Sequence, residues 1–207
     1  MPVEGVVFDI GNVLIKWDPI AHYDQVIGEA RRKAVFAAVD LDGMNERVDL
    51  GETLLSVVAE VAQANPDYAD EIMIWHDDWL KMCAPEIPHS VRLLRALKAK
   101  GVPVFALTNF GWDTFDVACA AYPVLTEFDR AYVSGRMKVV KPEPEIYARL
   151  EANSGMAASD LLFTDDKPEN ITAAATRGWK THLFEGPAGW AARLVAEGLL
   201  SEAEAQP

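Results

Sequence analysis

With 207 residues, 50% of them apolar and 25% charged, the chain is long enough for one main domain with a sizeable insertion and too apolar for extended disorder. Its formal net charge of −13 opposes nucleic acid and anionic membranes, and no run of about 18 apolar residues marks a membrane span. A small phosphorylated ligand stays open, because local cations and helix N-termini govern its binding rather than the total charge.

In chain order, Val6-Val7-Phe8-Asp9-Ile10-Gly11-Asn12-Val13-Leu14 comes first. Its β-branched run reads as a buried strand, and Asp9 stands where the chain leaves the sheet, the place where open α/β sheets bind ligands. Residues from Asp18 to about His89 then read as mostly helical. Asp18-Pro19 is an N-cap followed by proline at the first helical position, and 29–39, 52–64 and 67–82 carry helical apolar spacing. From Ser90 the pattern alternates: a helix stopped by Gly101, strand 102–107, helix 112–121, strand 131–134, helix 144–153, strand 161–164, helix 168–177 stopped by Gly178, and strand 180–184. A terminal helix with a frayed acidic end is expected from Ala188.

Such alternation predicts a doubly wound, Rossmann-like α/β fold, a parallel sheet with helices on both faces. The α/β core then comprises 1–17 and 89–207, with a helical insertion at 18–88 after the first strand. A strand so close to the N-terminus leaves no room for a cleavable leader, and Cys83 and Cys119 fit no metal spacing. A cytoplasmic protein with reduced thiols is expected.

Three strand ends carry the chemistry: Asp9, the Leu107-Thr108-Asn109 turn, and Phe163-Thr164-Asp165-Asp166. A doubly wound sheet brings these carboxylates together, and clustered acids in a partly dry site need a shared proton or a cation. Hard oxygen ligands point to Mg²⁺. Thr108-Asn109 offers a hydroxyl, an amide and backbone N–H groups to phosphate oxygens, although both residues are also ordinary turn formers. Lys141, stiffened by Pro142 and Pro144, could hold its ammonium against the phosphate and Asp9. Asp166 alone could equally cap the helix that follows.

Together these segments resemble the four motifs of the haloacid dehalogenase-like hydrolase superfamily: Phe8 to Leu14, Leu107-Thr108-Asn109, Lys141 to Tyr147, and Phe163 to Asp166 with Asn170. The Asp-x-Gly-Asn-Val first motif is similar to that of a subgroup with sugar-phosphate phosphatases, and the insertion resembles the family's small helical cap. The resemblance implies Asp9 as nucleophile and Thr108, Asn109 and Lys141 as ligands of the phosphoryl group. It further implies Mg²⁺ held by Asp9, the Gly11 carbonyl and Asp166, with Asp165 direct or through water, while Asn170 steadies the fourth loop.

One departure matters. Family phosphatases usually carry an aspartate two residues after the nucleophile as general acid and base, where this chain has Gly11. General acid-base catalysis is worth roughly 10² to 10⁴ in rate. A readily departing group such as a sugar 1-phosphate needs it less; otherwise Asp18, His22 or His76 could substitute, although each has an ordinary capping, packing or surface role open to it. The expected function is hydrolysis of small phosphomonoesters, with sugar phosphates among them and a small phosphorylated metabolite as the partner. The alternatives are a metal-free 2-haloacid dehalogenase, which the Asp165-Asp166 pair opposes, and a non-catalytic phospho-ligand-binding protein. Trp75 and Trp79, one helical turn apart, read as a packed stripe in preference to a sugar pocket, and His76-Asp77-Asp78 as a solvated face.

Overall fold

Five strands, β1 (Gly5–Phe8), β2 (Val104–Thr108), β3 (Arg130–Val133), β4 (Leu161–Asp165) and β5 (Lys180–Leu183), pair in parallel in the order β3-β2-β1-β4-β5. The structure is a computed structural model, and it describes residues 2–207. The chain steps from β1 outward to β3, then returns to the other side of β1 for β4 and β5. The loops leaving β1 and β4 therefore run in opposite directions and open the crevice where a doubly wound sheet binds ligands. Phe8 lies in register with Thr164 and with Ala106, so Asp9, Asp165 and the Thr108 turn end on one edge.

Alternation along the central strands sorts side chains onto two apolar layers. Val6, Phe8, Val104, Ala106 and Leu162 face one layer, while Val7, Phe105, Leu107, Leu161 and Phe163 face the other. The helices are α1 (Pro19–Ile27), α2 (Glu29–Ala38), α3 (Leu41–Asp49), α4 (Leu54–Ala64), α5 (Ala69–Asp77), α6 (Trp79–Met82), α7 (Pro88–Ala99), α8 (Trp112–Ala121), α9 (Ser134–Met137), α10 (Pro144–Ser154), α11 (Pro168–Thr176) and α12 (Pro187–Ala196). Side chains of α7, α8 and α12 cover the first layer, and those of α10 and α11 cover the second. α1 to α6 form the helical insertion, whose buried residues run into the first layer without a break.

Three differences from the sequence reading have physical causes. The expected helix over 67–82 is a turn at Pro66–Tyr68 followed by α5 and α6, because the chain bends at Asp78. Both indoles still pack on Trp17, Trp75 reaching further to Tyr23 and Phe36 and Trp79 to Phe110. Helix α3 does not stand out in the sequence pattern because Asp42, Gly43, Asn45, Glu46 and Arg47 crowd its exposed side; Leu41, Met44 and Val48 are nonetheless buried at helical spacing, and Asp40 caps it through Gly43 N at 2.9 Å. The end expected to fray is docked, with Leu199, Leu200 and Ala205 buried and His89 Nε2 at 2.9 Å from the Ala205 carbonyl oxygen. Both cysteines are free, and no helix of the described residues is long and apolar enough to cross a membrane.

Candidate active site

Asp9 leaves β1 beside β4, its main-chain N–H donating to the Thr164 carbonyl at 2.9 Å. The following turn folds Asn12, Val13, Leu14 and Ile15 back over Ile10: the Val13, Leu14 and Ile15 amides all donate to the Ile10 carbonyl. Asn12 adopts the left-handed conformation (φ 55°), which asparagine tolerates better than most residues. Its amide is used at both ends: Oδ1 accepts from Trp17 N at 3.1 Å, and Nδ2 donates to Asp166 Oδ2 at 3.0 Å. The first motif thereby aims an acid of the fourth.

Lys141 is the hub of the site. Its ammonium, almost wholly buried, donates to Asp165 Oδ2 at 2.6 Å and lies 2.9 Å from Asp9 Oδ1. Asp165, fully buried, also accepts from Lys167 N at 2.8 Å and from Asn170 Nδ2 at 3.0 Å to each oxygen. Its acceptor positions are filled by these donors, so it orients Lys141 and the loop after β4. Asn170 steadies that loop, as its place in the fourth motif implied.

Burial pushes the Asp9 carboxyl up to about 6 against the opposing pull of Lys141, with Asp165 adding to the rise. Burial works against the charge of Lys141, yet Asp165 and Asp9 outweigh it and hold the ammonium above the ordinary lysine range. A cation tied to two acids in a dry pocket stays charged.

Thr108 ends β2, buried and facing the cleft. Asn109 follows, but its side chain is committed: Nδ2 donates to the Lys141 carbonyl at 2.9 Å and Oδ1 accepts from Lys141 N at 2.7 Å. This two-point clasp fixes the Lys141 backbone to the end of β2. The amide expected to meet phosphate thus positions the lysine, and Asn109 also lines the cleft.

The cleft above Asp9 is lined by Gly11, Thr108, Lys141, Asp166 and Lys167 on the sheet side and closed by Asn45, Val48, Asp49 and Trp79 from the insertion, with Trp17 and Phe110 between. Trp75 and Trp79 are both buried in one core cluster and both pack on Trp17, as a packed stripe requires, and Trp79 also reaches the wall of this cleft. None of the three expected substitutes for the missing acid lines it. Asp18 caps α1 through Ala21 N at 2.9 Å, His22 pairs with Asp78 at 2.9 Å, and His76 pairs with Asp77 on the surface at 2.8 Å. The carboxylate that the insertion does bring to the cleft is Asp49, at the end of α3, and sequence reasoning missed it. Its signal lies in the Leu41, Met44, Val48 spacing after a capping Asp40.

Asp9, Asp165 and Asp166 each offer a carboxylate oxygen, all within 4.8 Å of one another. Hard anionic oxygens at that spacing fit a small divalent cation such as Mg²⁺, and the half-open face at Asp166 admits one.

The sequence model of the haloacid dehalogenase-like hydrolases matches residues 3–178, and the chain belongs to that family of hydrolases. It is 24% identical over 189 residues to a sesquiterpene phosphatase of Aspergillus oryzae, covering 84% of this chain and 86% of that one. A D-ribitol-5-phosphate phosphatase of Bacteroides thetaiotaomicron is 28% identical over 102 residues, 46% of this chain and 50% of the relative. Among solved structures, a HAD family enzyme of the same bacterium, in complex with magnesium and inorganic phosphate, superposes with a TM-score of 0.67 at 23% identity, covering 87% and 93% of the two chains. The expected α/β fold is shared with that structure.

Proposed function

We propose that this hydrolase is a Mg²⁺-dependent phosphatase of small phosphomonoesters, sugar phosphates among them, acting through an aspartyl-phosphate on Asp9. One observation carries the reading: Asp9 lies at a topological switch point with a buried ammonium 2.9 Å from one oxygen and two further acids within ligand distance. Lys141, held by Asp165 and the Asn109 clasp, keeps one Asp9 oxygen in place and meets the incoming phosphoryl charge. The other Asp9 oxygen attacks phosphorus in line, the acyl-phosphate bond forming as the ester P–O bond breaks; water then attacks phosphorus, releasing phosphate and restoring the carboxylate. The Thr108 hydroxyl and the main-chain N–H groups of its turn bind the equatorial oxygens.

Asp9, Asp166 and the Gly11 carbonyl would hold the ion, while Asp165, expected to reach it directly or through water, has its oxygens taken by Lys141, Lys167 N and Asn170 and would hold the loop around the ion instead. When bound, Mg²⁺ neutralises charge on the transferring group. Residues 18–88 act as a cap that excludes water and selects the leaving group. Trp17, Trp79 and Phe110 offer ring faces to the apolar face of a sugar or to a hydrocarbon, so both chemistries belong in the test.

The test is a screen of sugar phosphates and prenyl-type monophosphates with and without Mg²⁺, beside the Asp9→Asn variant. Phosphate release that needs both Asp9 and the metal is expected. Turnover of 2-haloacids that survives exhaustive chelation would replace the reading with a dehalogenase, and tight binding of phosphate esters without release would replace it with a sensor.

A further inference from the structure

Position 11, two residues after Asp9, carries no side chain and so no carboxyl to give and take protons there. A side chain at Gly11 would meet no heavy atom within 4 Å, so the volume that an acid could fill beside Asp9 is open to the cleft. The leaving oxygen of an alkyl phosphate departs poorly as an alkoxide, and the attacking water must lose a proton. Some other group on the wall of the cleft has to serve both needs.

The geometry points to Asp49, at the end of α3, as the general acid and then general base of this site, supplied by the cap in place of the residue that Gly11 lacks. The inference rests on the phosphatase reading above. In the first step the neutral Asp49 carboxyl gives its proton to the leaving oxygen as the ester P–O bond breaks and Asp9 bonds to phosphorus. In the second, the Asp49 carboxylate takes a proton from water as that water bonds to phosphorus, and the Asp9–phosphorus link breaks. Each group ends as it began.

Three features fit Asp49 for this. It lines the same cleft as Asp9, Thr108 and Lys141. Its position is also built in rather than loose: the Ser134 hydroxyl, fully buried, donates to the Asp49 carbonyl at 2.7 Å while accepting from Phe110 N at 2.9 Å, tying the end of α3 to the turn after Thr108. Two residues on, Gly51 has φ +109°, and a Cβ there would come within 2.7 Å of the Gly135 carbonyl oxygen, so the cap backbone lies directly on the core at this point. The carboxylate itself is aimed by Asn45, whose Nδ2 donates to Asp49 Oδ2 at 3.2 Å and whose Oδ1 accepts from the Trp75 indole at 3.3 Å.

Its protonation suits the task. Burial raises the Asp49 carboxyl to about 7, with Asp9 and Glu46 adding to the rise and Lys167 and Lys141 opposing it. A group poised there can both give and take a proton near neutral pH.

The experiment compares wild type, Asp49→Asn, Asp9→Asn and the double variant Gly11→Asp/Asp49→Asn, all with Mg²⁺. Two substrates are used: the alkyl phosphate that wild type turns over best, and p-nitrophenyl phosphate, whose leaving group needs no proton. For Asp49→Asn we expect kcat on the alkyl phosphate to fall by roughly 10² to 10⁴ with loss of the pH-profile limb near neutrality. On p-nitrophenyl phosphate it should give a rapid burst of about one equivalent followed by slow turnover, because only the second step then lacks its base. Restored turnover in the double variant would confirm that the missing element is a proton relay. An Asp49→Asn enzyme with wild-type kcat and pH profile, beside an inactive Asp9→Asn, would overturn the assignment and leave the phosphatase intact. Loss of the burst along with turnover would also overturn it, since Asp49 would then be holding the site together. A wild type that hydrolyses no phosphomonoester would bring down the phosphatase reading and this inference with it.

Discussion

The sheet edge and the helical insertion both contribute to one cleft, but they contribute differently. On the sheet edge the functional groups are held from several sides: Lys141 by Asp165, Asp9 and the Asn109 clasp and Asp166 by Asn12, all across distant segments, and Asp165 by Lys167 N and Asn170 of its own loop. In the insertion, Asp49 rests on one side-chain contact, from Asn45, and on the backbone tie through Ser134. The contrast separates a preorganised electrostatic frame, where reorganisation during the reaction is small, from a wall whose groups set the proton inventory and the shape of the leaving-group site.

The largest effect that can test this contrast lies on the sheet. Asp9→Asn should lower kcat by more than about 10⁴-fold in a phosphate-release assay while the circular dichroism spectrum is kept. Appreciable residual turnover would remove Asp9 as nucleophile. Lys141→Met leaves two buried acids without their cation and should cost about 3 to 5 kcal/mol in urea unfolding at neutral pH, in addition to abolishing turnover. If stability is unchanged, the hub is not what organises the frame.

Asn12→Ala frees Asp166 and removes the acceptor of Trp17 N, and a loss of roughly 10- to 100-fold in Mg²⁺ affinity is expected by titration of activity against metal. An unaltered affinity would mean that the Asn12 bond does not aim Asp166 at the ion.

The cap carboxylate has a thermodynamic signature of its own. In the folded chain Asp49 is raised from 3.8 to about 7, so the folded state holds this proton more tightly than the unfolded chain does. Stability is therefore given up as pH climbs from about 4 toward 7, and a half-buried charge remains above that. Asp49→Asn escapes this, so its melting temperature should exceed that of wild type at pH 8, with the gap closing as pH falls toward 4. A gap independent of pH would show that the Asp49 carboxyl is not raised in the folded chain. Smallest of all, His76→Ala should change kcat by less than about twofold, because its partner is the surface Asp77 and it stands outside the cleft.

Most of the sheet edge is legible in the amino-acid sequence, since β-branched runs ending in Asp9, Thr108-Asn109 and Asp165-Asp166 mark strand ends, and parallel topology brings strand ends to one side. The chain order of the strands and most helix bounds agree with the sequence pattern to within a few residues. The insertion is legible only as helical. Helix α3 escapes notice because its apolar stripe is three residues wide among charges, and the bend at Asp78 has no proline or glycine to announce it.

Periodicity and motif order determined the fold class, the family and the identity of Asp9 and Lys141, because those depend on local alternation and on what lies at the end of a strand. Tertiary structure alone decided that Asn109 clasps the Lys141 backbone, that Trp75 packs on Tyr23 and Phe36 while Trp79 packs on Phe110, and that an acid 40 residues from Asp9 in sequence shares its cleft. These depend on how the insertion settles onto the core, at contacts such as Ser134 with Asp49 and Gly51 with Gly135 that join distant segments and leave no periodic trace in either one.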